Sequence, residues 1–240
     1  MLFRSPVSGA ESGAPPVTSR ISGCERLAGA MKLPSRFMGV ALIVACMVLP
    51  VAMWGKEDMQ RGEQLFATCM ACHGSDGGGI QVSGTPRLVD QHDWYLVRQL
   101  ENFKKGLRGY DPDDIYGGQM RAIAVILSDD DVEAVVAYIS TLDAPVSSAS
   151  LEGDPEAGRI RFKSCQLCHG NKGEGKKRMF TPNLRGQHDW YQLRQLENFR
   201  RSFRGTHPED NFGGRMWAIT RTIEDDQALK DIVAYLKTLE

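Results

Sequence analysis

Two pentapeptides, Cys69-Met70-Ala71-Cys72-His73 and Cys165-Gln166-Leu167-Cys168-His169, share the spacing C-x-x-C-H. Two thiols three residues apart, followed at once by an imidazole, can form two thioethers to the vinyl groups of a haem. The histidine then lies under the iron as its proximal ligand. Rival chemistries fit worse. A zinc site needs further soft ligands nearby, and neither repeat has another cysteine. A thioredoxin-type pair sits between a strand and a helix and has no use for the trailing histidine. Two such sites imply two covalently bound haem c groups. They confine the chain to electron transfer or haem-based redox catalysis.

The motifs belong to an internal duplication. The offset of 96 from Cys69 to Cys165 also links Gly62 to Gly158, Phe66 to Phe162 and Pro86 to Pro182. It links Gln91-His92-Asp93-Trp94-Tyr95 to Gln187-His188-Asp189-Trp190-Tyr191, and Arg98-Gln99-Leu100-Glu101-Asn102-Phe103 to Arg194-Gln195-Leu196-Glu197-Asn198-Phe199. By Tyr138 and Tyr235 it has become 97. The organisation read from this is an N-terminal extension (1–55), a first domain (56–143), a linker (144–151) and a second domain (152–240). The linker stretch Ala-Pro-Val-Ser-Ser-Ala-Ser reads as flexible.

A distal ligand separates a carrier from a catalyst. Met120 and Met216 each lie 47 residues after their own histidine and follow a Gly-Gly pair. Paired glycines can bring the backbone close to the haem edge. A thioether is a soft ligand that favours the reduced iron and raises its potential. Core methionines are the bland alternative; identical placement in both repeats favours ligation. His92 and His188 also repeat. They read more simply as loop residues before a helix, within reach of a haem propionate, than as distal ligands. Trp94, Tyr95 and Arg98, with Trp190, Tyr191 and Arg194, suit either the haem edge or ordinary helix packing. Lys172, Lys176, Lys177 and Arg178 form a basic loop after the second motif, either solvated or a docking face.

The elements that must position these residues read as helices, because neither repeat sustains period-two alternation. A first helix leads into each motif, near 57–69 and 155–165. A second starts at Asp93 or Asp189, taken as N-caps. The last carries Val132, Val135, Val136, Ile139 and Leu142, or Leu229, Ile232, Val233, Leu236 and Leu239, at helical spacing. Its acidic starts suit a helix N-terminus. Gly62 and Gly158 lie inside the first helix, where glycine costs about 1 kcal/mol relative to alanine. They are expected to let the last helix cross closely at Tyr138 and Tyr235. Each repeat is small for a free-standing core, so a haem plate would help to fill it.

Four of the six cysteines belong to the motifs, so no structural disulfide is expected. Residues 37–54 carry no charge; Lys32 and Arg36 precede them and Glu57 and Asp58 follow. The segment reads as an export signal or an N-in membrane anchor. A third reading is lipoprotein processing at Cys46. Residues 1–30 are rich in Gly, Ser, Ala and Pro and look unstructured, and Met31 is a second candidate start. Export agrees with haem attachment, which takes place outside the cytoplasm.

The paired motifs, Pro86 and Pro182, the Gly-Gly-x-Met segments and the amphipathic last helices together resemble the dihaem cytochrome c4 family over residues 56–240. The resemblance implies an all-α fold of two tandem class I cytochrome c domains with His-Met ligation and haems facing the interdomain region. It implies a periplasmic, commonly membrane-associated electron carrier serving redox protein partners such as terminal oxidases. No nucleic acid or small-molecule substrate is expected. The Arg-Gly-x-x-Pro-x-Asp loops before the methionines depart from the simplest members. The enzymatic alternatives, a dihaem peroxidase or a thiosulfate-oxidising dehydrogenase, need an iron that can open, which the matched methionines disfavour. A cytochrome subunit of a larger, sulfide-oxidising flavocytochrome is the other alternative. Residues 57–143 hold 7 basic and 15 acidic side chains, net −8; residues 152–240 hold 16 and 13, net +3. Such polarity can steer partners of opposite charge to different domains.

Overall fold

The computed structural model describes the backbone of residues 38–239 and the side chains of residues 55–239. Among them there is no strand. The order is α1 (Met38–His73), α2 (Asp93–Lys104), α3 (Ile115–Ala124) and α4 (Asp129–Ile139), then α5 (Pro155–His169), α6 (Asp189–Arg200), α7 (Asn211–Thr220) and α8 (Asp226–Lys237). A 3-10 turn follows each motif, at Gln81–Ser83 and Lys177–Met179. The chain is therefore one four-helix pattern used twice, all-α among the described residues.

Each repeat closes by crossing its first helix with its last. Phe66, 1% exposed, packs with Val135, Val136 and Ile139 of α4; Phe162, also 1% exposed, packs with Ile232 and Leu236 of α8. Burying each ring contributes roughly 1.5–3 kcal/mol. The expected close crossings are present. A Cβ on Gly62 would meet the Ala134 carbonyl and lie 2.8 Å from Tyr138 Cβ. On Gly158 it would meet the Asp231 carbonyl and lie 2.9 Å from Tyr235 Cβ. The helical apolar spacing of α4 and α8 thus becomes buried core, as periodicity suggests. Ser128 starts α4 in a reciprocal capping box with Asp131, and Asp225 caps α8 through Ala228 N–H at 2.8 Å.

Three sequence expectations change. Asp93 and Asp189 are the first helical residues, and the N-caps are His92 and His188, which make no side-chain cap bond. Their carboxylates hold other groups: Asp93 accepts from Ser140 Oγ at 2.7 Å, and Asp189 accepts from Leu151 N–H at 2.8 Å and Ser150 Oγ at 2.8 Å. The stretch 144–150 is irregular but tied down. Arg87, 4% exposed, donates to the Ala144 and Pro145 carbonyls at 2.7 and 2.8 Å, and Lys237 donates to the Ser147 carbonyl at 2.8 Å. The third change concerns the glycine pairs. Gly117 and Gly213 lie on the first turns of α3 and α7, where a Cβ would strike the capping carboxylates of Asp114 and Asp210. The capped helix start therefore accounts for the first glycine of each pair, with no appeal to a haem.

Among the described residues no helix is long and apolar enough to cross a membrane. The export or anchor reading of 37–54, Cys46 and residues 1–30 lie outside the residues whose side chains are described.

Candidate functional site

Each C-x-x-C-H ends its helix: His73 is the last residue of α1 and His169 the last of α5. On a helix, residues three apart are neighbours on one face, so Cys69 and Cys72, and Cys165 and Cys168, present paired thiols. All four are free. Burial raises the pKa of the Cys69 and Cys165 thiols.

The histidines are buried, at 4% and 5% exposure. His73 Nδ1 donates to the Pro86 carbonyl at 3.0 Å, and His169 Nδ1 to the Pro182 carbonyl at 3.4 Å. A carbonyl only accepts, so Nδ1 carries the proton and Nε2 keeps the lone pair that a metal needs. Burial pushes both imidazoles below the usual histidine pKa, His169 to about 4, against the opposing pull of the proline carbonyl. Both are neutral near pH 7, the ligand form.

The proline loops reach these histidines because glycine permits it. Gly79 and Gly175 adopt φ of +84° and +77°, and a Cβ at either would sit 2.6 Å from the Pro86 or Pro182 carbonyl carbon. Thr85 and Thr181 then donate their hydroxyls to the Cys72 and Cys168 carbonyls, the latter at 2.6 Å. The thiol pair, the oriented neutral imidazole and the proline carbonyl fit a covalently attached haem in both repeats, which supplies a one-electron couple when bound.

Met120 and Met216 are half-buried on the second turns of α3 and α7. Their helices are fixed by the Arg-Gly-x-x-Pro-x-Asp loops. Asp114 and Asp210 accept from Gly117 and Gly213 N–H at 3.0 and 2.8 Å. Gly109 and Gly205, at φ +70° and +86°, lie against the carbonyls of those same glycines.

The arginine of each loop was missed as a functional candidate, although its repetition at the same offset was visible. Arg108 donates to Gln99 of its own repeat (2.9 Å) and to Tyr191 and Gln195 of the other (3.0 Å each). Arg204 donates to Gln195 (2.7 Å) and, across the interface, to Gln99 (2.9 Å). Burial raises the pKa of the Tyr191 phenol, but Arg108 and Arg204 together hold it below its ordinary value. Arg98 and Arg194 also cross over. Arg98 stacks on Tyr95 (5.1 Å) and on Phe212 (4.9 Å) and donates to the Phe180 carbonyl at 2.7 Å. Arg194 stacks on Tyr116 at 4.0 Å and donates to the Gly84 carbonyl. Arg98, Arg194 and Tyr191 thus make contacts between the repeats. His92 and His188 bond backbone carbonyls of the opposite repeat, at Glu174 (2.9 Å) and Gly78 (2.8 Å), which removes the need to read them as distal ligands. In the basic loop Lys177 and Arg178 are exposed, while Lys176 Nζ donates to the Leu167 carbonyl at 3.0 Å.

Residues 59–143 and 156–240 each match the family pattern of cytochrome c. The chain is 31% identical over 201 residues to a thiosulfate dehydrogenase electron acceptor of Stutzerimonas stutzeri, covering 79% of this chain and 88% of that protein. It is 30% identical over 191 residues to cytochrome c4 of Azotobacter vinelandii, covering 74% and 85%. The crystal structure of reduced recombinant cytochrome c4 from Pseudomonas stutzeri superposes with a TM-score of 0.61 at 28% identity, covering 76% of this chain and 98% of that one.

Proposed function

The chain belongs to the dihaem cytochrome c4 family and is an electron-transfer protein with two covalent haems, and we propose a definite ligand set and cellular role for it. Cys69, Cys72, Cys165 and Cys168 hold the haems, His73 and His169 are proximal ligands, and Met120 and Met216 are distal ligands. The domain limits are 56–143 and 152–240. The observation that carries this reading is the duplicated unit of buried imidazole, Nδ1 bond to a proline carbonyl and thiol pair at one helix end. With His73 and Met120, and His169 and Met216, as ligands, neither haem would offer an open position to a substrate, and the protein's part would be to set the potential, exclude water and present a haem edge.

The carrier works in the periplasm, held near the membrane by its N-terminal segment, and passes electrons between respiratory partners, a terminal oxidase among the acceptors. The similarity to an electron acceptor of thiosulfate dehydrogenase supports an inorganic-sulfur dehydrogenase as one class of donor. The test is an absorption spectrum of the dithionite-reduced protein with and without carbon monoxide. No change is expected. A carbon monoxide shift at one haem would show a labile iron and move catalysis ahead of electron carriage.

A further inference from the structure

The Gln-His pair before the second helix of each repeat reaches into the other repeat. Gln187 Oε1 accepts from Arg87 N–H at 3.0 Å, and its Nε2 donates to the Arg87 carbonyl at 2.9 Å. Gln91 does the same to Asn183, at 3.0 and 2.9 Å. Arg87 N–H belongs to the same peptide unit as the Pro86 carbonyl, which accepts from His73 Nδ1. Asn183 N–H shares its peptide unit with the Pro182 carbonyl, which accepts from His169 Nδ1.

The adjoining histidines repeat this logic on the main chain. His188 Nε2 donates to the Gly78 carbonyl at 2.8 Å, and the N–H of that same peptide, on Gly79, donates to the His73 carbonyl at 2.8 Å. His92 Nε2 donates to the Glu174 carbonyl at 2.9 Å, and Gly175 N–H donates to the His169 carbonyl at 2.7 Å. Each imidazole is steadied by stacking on a tryptophan, His92 on Trp94 at 5.4 Å and His188 on Trp190 at 5.0 Å.

We propose that Gln91-His92 and Gln187-His188 are positioning pairs that act in trans. Each holds and polarises the two peptide units that hydrogen-bond the haem-ligating histidine of the opposite repeat. Each repeat thereby sets part of the other haem's reduction potential. The proposal rests on the histidine ligation put forward above. The physical chain is short. A peptide whose N–H is engaged by an amide oxygen becomes a better acceptor at its carbonyl, because linked hydrogen bonds polarise one another. A better acceptor at Nδ1–H makes the imidazole a stronger donor to iron. That favours the oxidised haem and lowers its potential. A plain interface latch has no need to select these peptide units; Arg98 and Arg194 join the repeats through the carbonyls of Phe180 and Gly84, further along the loops.

The experiment is haem-resolved proton NMR of the holoprotein with Gln187→Leu, Gln91→Leu and Gln187→Glu, followed through a redox titration. The wild-type protein must first show two axial histidine Nδ1 protons; their absence would overturn the ligation reading itself. In Gln187→Leu the His73 Nδ1 proton should move upfield and the first haem's potential should rise, with the second haem unmoved. Gln91→Leu should do the reverse. Gln187→Glu, whose carboxylate is a stronger acceptor for Arg87 N–H, should not move the His73 proton upfield. Equal shifts at both haems, or lower thermal stability with no haem-specific shift, would reduce the pairs to an ordinary latch and overturn the proposal.

Discussion

The two repeats are alike where they touch each other and unlike where they face outwards. Gln91, His92, Gln99, Arg98 and Arg108 find their counterparts in Gln187, His188, Gln195, Arg194 and Arg204, and the contacts run in both directions. The turn after each motif has diverged. Ile80-Gln81-Val82-Ser83-Gly84 of the first repeat corresponds to Lys176-Lys177-Arg178-Met179-Phe180 of the second. Val82 is 96% exposed, while Lys177 and Arg178 put charge at the equivalent surface. The turn also ends differently: Phe180 takes the left-handed conformation, φ +59°, that Gly84 takes at +65°. A side chain there costs roughly 1–2 kcal/mol. Stacking on Phe212 at 4.5 Å and under Arg98 at 5.8 Å offsets it. A face that must match its own copy keeps its residues, because a change on one side leaves a buried partner unsatisfied on the other. At the turns the opposite repeat hydrogen-bonds only the carbonyls of Gly84 and Phe180, which any residue supplies, so the tips are free to diverge: the first is uncharged and the second carries Lys176, Lys177 and Arg178.

Three measurements would break or sharpen that contrast. The largest effect is expected at the shared face. Arg204→Ala and Arg108→Ala each strip a buried donor from glutamine and tyrosine side chains of both repeats, at about 1–3 kcal/mol for each group left unpaired. The two variants should lose comparable stability in denaturant melts of the holoprotein; a loss confined to one would show that the interface is not reciprocal. Next come the helix crossings. Gly158→Ala and Gly62→Ala force carbonyl and tyrosine atoms apart and should destabilise by roughly 1–3 kcal/mol. Unchanged thermal melting of either would mean that the crossing helices can slide apart freely. The smallest effect is kinetic. Replacing Lys177 and Arg178 together by glutamine should slow oxidation of the reduced protein by ferricyanide several-fold at low ionic strength, and the difference should vanish at high salt. The same rate at every salt concentration would detach the basic turn from electron exit.

Much of this was legible in the amino-acid sequence. Covalent spacing rules fix the C-x-x-C-H chemistry, and the helical period of Val132, Val135, Val136 and Ile139 fixes which face of α4 is buried. The glycines at 62 and 158 announce a close crossing, because nothing else recommends glycine inside a helix. Local rules failed where a side chain had more than one suitor. Asp93 and Asp189 carry a capping residue type but bond a serine and the interrepeat stretch instead. Gly117 reads as haem-facing until Asp114 claims the same space.

By itself, then, the sequence determined the cofactor, the duplication and the helical class, since each depends on residue types at short, fixed spacing. Only the tertiary structure decided what Gln91-His92 and Gln187-His188 touch, and why Arg108 and Arg204 are buried. Those partners lie between 80 and 110 residues away along the chain. No periodicity reaches that far; the contacts exist because two copies of one surface meet.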